Sequence, residues 1–161
     1  MRMKFVENRN RLSCFLACIE SFLSSSGVTH TQEDIIHQHP DLCQVVRDRN
    51  GHILHGVVPH GEERALCAKV GIQYDEVAKG SSVEEIRPFL KKEDHYIIGI
   101  SQRPDHTDNP RMHSVLFDSF DESNGILVMD PDQGHKTLTK DYPDIVEIKV
   151  FEISYRPSMI G

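Results

Sequence analysis

Hydrophobic periodicity changes midway along this chain of 161 residues. From Cys14 to Ser25 the apolar residues Phe15, Leu16, Cys18, Ile19, Phe22 and Leu23 recur at helical spacing, which lays one face of an α-helix on a core. Ser13 stands where an N-cap belongs and Gly27 where a helix stops. Thr31 is placed to cap a short helix through Ile35 and Ile36 that Pro40 ends, and Glu62 to Val70 closes on Gly71. Ser82 with Glu85 makes a capping box for a helix towards Leu90, shortened or bent by Pro88. In the second half, Tyr96–Ile100, Ser114–Phe117, Ile126–Met129 and Ile145–Val150 are short runs rich in β-branched residues and read as strands. Asp118 to Gly125 joins two of them as an antiparallel hairpin, Asn124-Gly125 supplying the positive φ angles of the turn. Helices first and strands afterwards, without strict alternation, predict an α+β domain with a helical layer against an antiparallel sheet.

The length suits one domain spanning 1–161. Eighteen Lys and Arg against 25 Asp and Glu leave a formal charge of -7, which disfavours attraction to nucleic acid or anionic membranes. The longest apolar run, the six residues Cys14 to Ile19, is far below the ~20 that span a bilayer. The N-terminus turns polar before a signal-peptide core forms. The expectation is therefore a cytoplasmic protein, or one exported without a signal peptide, with no membrane insertion. Cysteines at 14, 18, 43 and 67 include no C-x-x-C pair and are expected to be free thiols.

Cys14 occupies the predicted start of the first helix, where unpaired N–H groups and the dipole favour a thiolate. Cys18, one turn deeper, reads as a small core hydrophobe. His113 opens the run Ser114–Phe117, on an element rigid enough to hold an imidazole within reach of a thiol. Asp130 ends the run paired with it, placed to face His113 and orient its ring, although Asp-Pro also commonly initiates a turn.

Met112-His113-Ser114-Val115-Leu116-Phe117 and Ile126-Leu127-Val128-Met129-Asp130-Pro131-Asp132-Gln133-Gly134 resemble the His and Asp-Pro-x-x-Gly motifs of the bacteriocin-leader-processing (double-glycine) cysteine peptidases, which are papain-like. Leu12-Ser13-Cys14-Phe15-Leu16-Ala17-Cys18-Ile19 resembles that family's nucleophile helix, and Leu138-Thr139-Lys140-Asp141 the segment after its turn. Residues 28–94 share only general helical character. The resemblance implies Cys14 as nucleophile, His113 as general base and later acid, and Asp130 as the residue orienting His113. It also implies a papain-like fold, no metal or organic cofactor, and a peptide or protein substrate. The family normally places a glutamine oxyanion donor before the cysteine; none is here, and Asn8 or Asn10 is the candidate substitute, beside the Cys14 backbone N–H.

The expected activity is hydrolysis of an amide bond through a thioester. Related folds also serve as glutamine deamidases or amide and acyl transferases, including bacterial effectors, and some relatives only bind a peptide. The histidines at 37, 39, 52, 55 and 60 could ligate zinc, although no Cys or acidic ligand completes an ordinary structural site. Asp48 to Gly61 fits a loop flanking a groove as well as it fits a metal site, and Ser101 to Arg111 is a polar loop able to act as a lid or rim before His113 or to serve as an ordinary strand connection.

Overall fold

A computed structural model describes residues 3–7, 13–47, 50–51, 53–58, 61–103 and 111–159. Along the chain come α1 (Cys14–Ser25), α2 (Gln32–Gln38), β1 (Gln44–Arg47), β2 (Ile53–Val57), α3 (Glu63–Lys69), β3 (Ile72–Gly80) and α4 (Val83–Ile86). After these follow β4 (His95–Gln102), β5 (Arg111–Phe120), β6 (Ile126–Asp130), β7 (Gly134–Thr137), α5 (Leu138–Asp141) and β8 (Ile145–Tyr155). The main sheet has the order β3-β8-β4-β5-β6-β7 with antiparallel neighbours throughout. β1 and β2 form a separate antiparallel pair.

The apolar runs in β4, β5 and β6 are continuous because both faces of the sheet are buried there. On one face Ile97, Leu116, Met129, Ile72 and Ile153 pack with Leu16, Ile19 and Phe22 of α1, Ile35 of α2 and Leu66 of α3. On the other, Tyr96, Ile98, Val115, Phe117, Val128 and Val150 pack with Val83 and Ile86 of α4, Leu138 of α5 and Tyr142. Neighbours in sequence thus enter opposite cores, as the pleat requires. Each such aliphatic side chain is worth roughly 1.5–3 kcal/mol relative to exposure. Helical cover on both faces, rather than one helical layer, refines the expected α+β arrangement.

α1 ends as its glycine predicts. Gly27 has φ 80, and the Gly27 and Val28 N–H groups donate to Ser24 O and Leu23 O, a Schellman closure. Its start differs from expectation: Ser13 stands at the N-cap and its carbonyl accepts from Ala17 N, but its hydroxyl does not cap the helix. Thr31 caps α2 through a full capping box with Asp34. Ser82 accepts from Glu85 N at 3.4 Å, whereas the Glu85 carboxylate reaches Ser81 instead of closing the box. α4 is one turn long and passes into a 3₁₀ turn containing Pro88.

The second half holds every expected strand, some longer than their apolar runs. The first half is not purely helical: β1 and β2 flank residues 48–52, placing a strand inside the expected loop Asp48 to Gly61, and β3 is a nine-residue edge strand. At the β5–β6 hairpin only Asn124 has positive φ, 63. The loop is organised by the Asp121 carboxylate, which accepts from Ser123 N at 2.9 Å and Gly125 N at 2.6 Å. A Cβ on Gly125 would lie 2.4 Å from Asp121 Oδ2, so this glycine serves close approach instead of positive φ.

Residues 3–7 run along α1 and the sheet. Met3 N donates to Asp118 Oδ1 at 2.8 Å, Ser21 Oγ to Lys4 O at 2.6 Å, and Gln32 Nε2 to Glu7 O at 2.9 Å. Asp118 stands at the irregularity where the β5–β6 register shifts between Phe117 and Ser119. Met3 and Val6 are buried, so the segment is tied by packing as well as by hydrogen bonds.

Candidate active site

Three elements deliver the candidate residues. Cys14 is the first residue of α1, half-buried, at the positive end of a helix that packs on β5. His113 is the third residue of β5 and Asp130 the last of β6. Leu116 pairs with Met129; continuing that register sets Asp130 against Val115 and makes His113 its diagonal neighbour on the same face. His113 Nε2 and Asp130 Oδ1 are 2.6 Å apart, which leaves Nδ1 unengaged by Asp130, and Cys14, His113 and Ser114 line one groove.

Asp130 is fully buried. Its Oδ1 also accepts from Asp132 N at 2.8 Å and Gln133 N at 3.3 Å, while Oδ2 accepts from Tyr142 Oη at 2.5 Å. The bond to Asp132 N is an Asx turn, so the carboxylate that meets His113 also folds the chain into β7.

The electrostatics follow from this packing. Burial alone would raise Asp130, but the hydrogen bond and charge of His113 with the Tyr142 hydroxyl hold it below the usual carboxylate range. Burial would lower His113; hydrogen bonds to Asp130 and Cys14 overcome it and lift the imidazole to about 10. Burial also pushes the Cys14 thiol up, yet the His113 hydrogen bond and charge, with help from Ser114, bring it below an ordinary thiol. Cys18 goes the other way. It is fully buried, its Sγ donates to Ser114 O at 3.6 Å, and burial with the neighbouring Cys14 and Asp130 charges raises it well above the thiol range.

A groove of about 420 Å³ opens beside Cys14 on the α1 face of the sheet. Gly99 lies on its floor, and Tyr74 and Phe151 line it as a stacked pair at 4.6 Å, with Phe15 edge-on to Tyr74. Met112, 63% exposed, stands at its rim beside His113.

Asn8 and Asn10 lie outside the described residues, as do His52, His60 and residues 104–110 of the expected lid loop. His37 is exposed on α2, His39 is half-buried, and His55 belongs to β2. Among the described residues no group of three or more His, Cys, Asp or Glu is arranged to hold a metal ion. Among them, too, no helix is long and apolar enough to cross a membrane. All four cysteines are free. Sequence reasoning missed Tyr142 and Ser114. Tyr142 has no signal beyond a buried aromatic before Pro143, and Ser114 only its place next to His113.

The architecture has a counterpart among solved structures. The peptidase domain of Streptococcus ComA, a bi-functional ABC transporter involved in a quorum-sensing pathway, superposes with a TM-score of 0.58 over 93% of this chain and 97% of that one, at 12% identity. The fold is papain-like. No protein-family model and no curated protein matches the chain, so what the papain-like domain of ComA shares with it is the arrangement of helices on an antiparallel sheet. Within this papain-like frame, residues 28–94 contribute three strands beyond the helical character read from the sequence.

Proposed function

We propose that the chain is a cysteine peptidase-like hydrolase that cleaves an amide bond through a thioester on Cys14. The observation that carries this reading is the line of contacts from the Cys14 thiol, at a helix N-terminus, through the His113 ring to the buried Asp130 carboxylate, beside an open groove. His113 takes the thiol proton, and the sulfur attacks the carbonyl carbon of a substrate lying in the groove. The oxyanion that forms is met by the Cys14 backbone N–H at the start of α1. His113 returns the proton to the leaving amine as the tetrahedral intermediate collapses to the thioester. Water then attacks the thioester with His113 as base, releasing the acid and restoring the thiol. Asp130 holds the ring orientation and stabilises its cation without taking the proton. No metal or organic cofactor is required by this sequence of steps. The papain-like fold shared with a peptidase domain supports the choice of a peptide bond as substrate.

Intact mass after iodoacetamide treatment across pH tests the reading, comparing wild type with Cys14→Ala and His113→Ala. Fast single labelling at Cys14, persisting below about pH 7 and lost in His113→Ala, is the expected result. Slow labelling with ordinary thiol pH dependence, indifferent to His113, would overturn it and favour a module that only binds peptides.

A further inference from the structure

We propose that Tyr142 is a positioning residue of this site: its hydroxyl fixes the rotation of the Asp130 carboxylate so that Oδ1 is presented to His113 Nε2. The inference rests on the reading of Cys14 and His113 as nucleophile and base.

An Asp carboxylate turns easily about its terminal torsion, which has broad, two-fold preferences. In a buried site its direction must come from neighbours. Backbone N–H groups of Asp132 and Gln133 hold Oδ1 from the turn side, and His113 meets the same oxygen at 2.6 Å. Tyr142 is the donor to Oδ2 among the described residues, at 2.5 Å. With both oxygens engaged, the plane of the carboxylate is set. The phenol is itself held: Tyr142 is buried in the core formed by Val115, Val128 and Leu138, so its hydroxyl is delivered by a packed ring. Burial, then the Asp130 hydrogen bond and charge, raise the phenol far above its usual range and keep it a donor.

The chain delivers donor and acceptor as one unit. Asp130 ends β6 and pairs with Gly134 at the start of β7; α5 follows at once, and Tyr142 is its C-cap. The titratable groups around the pair are His113 from β5, Cys14 and Cys18 from α1, and Asp141 of α5. A tyrosine that merely satisfied a buried carboxylate would affect stability alone. One that aims it also controls how firmly His113 holds its proton, and through His113 the thiolate of Cys14.

Iodoacetamide labelling of Cys14 across pH separates the two roles. Tyr142→Phe keeps the ring and removes the donor. It is expected to slow labelling at about pH 6 by about tenfold, since a hydrogen bond to a charged group exceeds the ~1.4 kcal/mol that corresponds to a factor of ten, and to displace the profile towards higher pH. In an Asp130→Asn background the same substitution should change the profile no further, because the group it acts through has been altered. A wild-type profile in a folded but less stable Tyr142→Phe, or an undiminished effect in the Asp130→Asn background, would overturn the positioning role. Should Tyr142→Phe fail to fold, 3-fluorotyrosine at 142 keeps the hydroxyl as a stronger donor. It should move the low-field NMR resonance of the His113 Nε2 proton, and an unmoved resonance would overturn the role. Failure of the underlying reading is seen separately, as a wild-type profile indifferent to His113→Ala, and it removes the positioning role with it.

Discussion

His113 is pulled by burial towards the neutral ring and by Asp130 and Cys14 towards the cation, and the cation wins. The consequence for stability has a definite sign. A folded-state value of about 10 against an ordinary 6.5 means that protonated His113 stabilises the fold fully below about pH 6.5, with the contribution lost as pH rises through about 10. Asp130 works in the opposite direction: its lowered value stabilises the fold above its unfolded value, ordinarily 3.8, and the contribution fades as pH falls below it. Urea denaturation of the wild type should accordingly show stability declining between about pH 6.5 and 10. In Asp130→Asn the carboxylate that holds the proton is gone, and that alkaline decline should shrink. Equal alkaline slopes in the two proteins would mean that Asp130 is not what holds the proton on His113. Cys18 offers a control on the same helix. Cys18→Ala should leave His113-dependent labelling of Cys14 in place, at a cost in stability of roughly 1–2 kcal/mol from the lost sulfur contacts, read from the same denaturation curves.

α1 carries Cys14 on its first turn and holds it there by burying most of its remaining residues. Leu16→Ala, in the first turn and fully buried, should cost about 2–5 kcal/mol in urea unfolding. At the end of β5 and β6 away from His113 and Asp130, the hairpin depends on Asp121 fitting against Gly125. Gly125→Ala should lower the melting temperature, and Asp121→Ala made alongside it should add little, because the first change already displaces the carboxylate. Full additivity of the two would show that the clash is relieved elsewhere. The elements differ in how plainly the sequence announces them, for physical reasons. α1 is legible because it is apolar on most of its surface and ends on a Gly that must take positive φ. β4 is legible because burial on both faces makes Tyr96–Ile100 a continuous apolar run. β3 is not: it is an edge strand whose Gln73, Asp75, Glu76 and Lys79 face outward to varying degrees, and a register shift between Glu76 and Ala78 breaks its alternation. β7 has four half-buried residues and no apolar run at all. At the candidate site, Cys14, His113 and Asp130 stand out because each residue type sits at a helix start or within or at the end of a strand. Tyr142 does not, because its role arises only when α5 folds back over Asp130.

Across the whole molecule, the site joins parts of the chain far apart in sequence, and two devices hold them. One is the segment 3–7, whose backbone is bonded to Asp118, Ser21 and Gln32 and which leads into the residues before Cys14. The other is β8, which pairs with β3 on one side and β4 on the other and supplies Ile148 and Val150 to one core and Ile153 to the other. A chain truncated after residue 144 should therefore lack cooperative unfolding and near-UV circular dichroism, whereas a native-like transition in that fragment would show that β3 and β4 can be covered without β8. The place of β8 also has a consequence during synthesis. Its Glu147, Lys149 and Phe151 line the groove beside Cys14, and it is made after both β3 and β4. Until β8 is made, β3 and β4 have no strand between them, so a nascent chain carries the Cys14 thiol long before the wall of its groove exists.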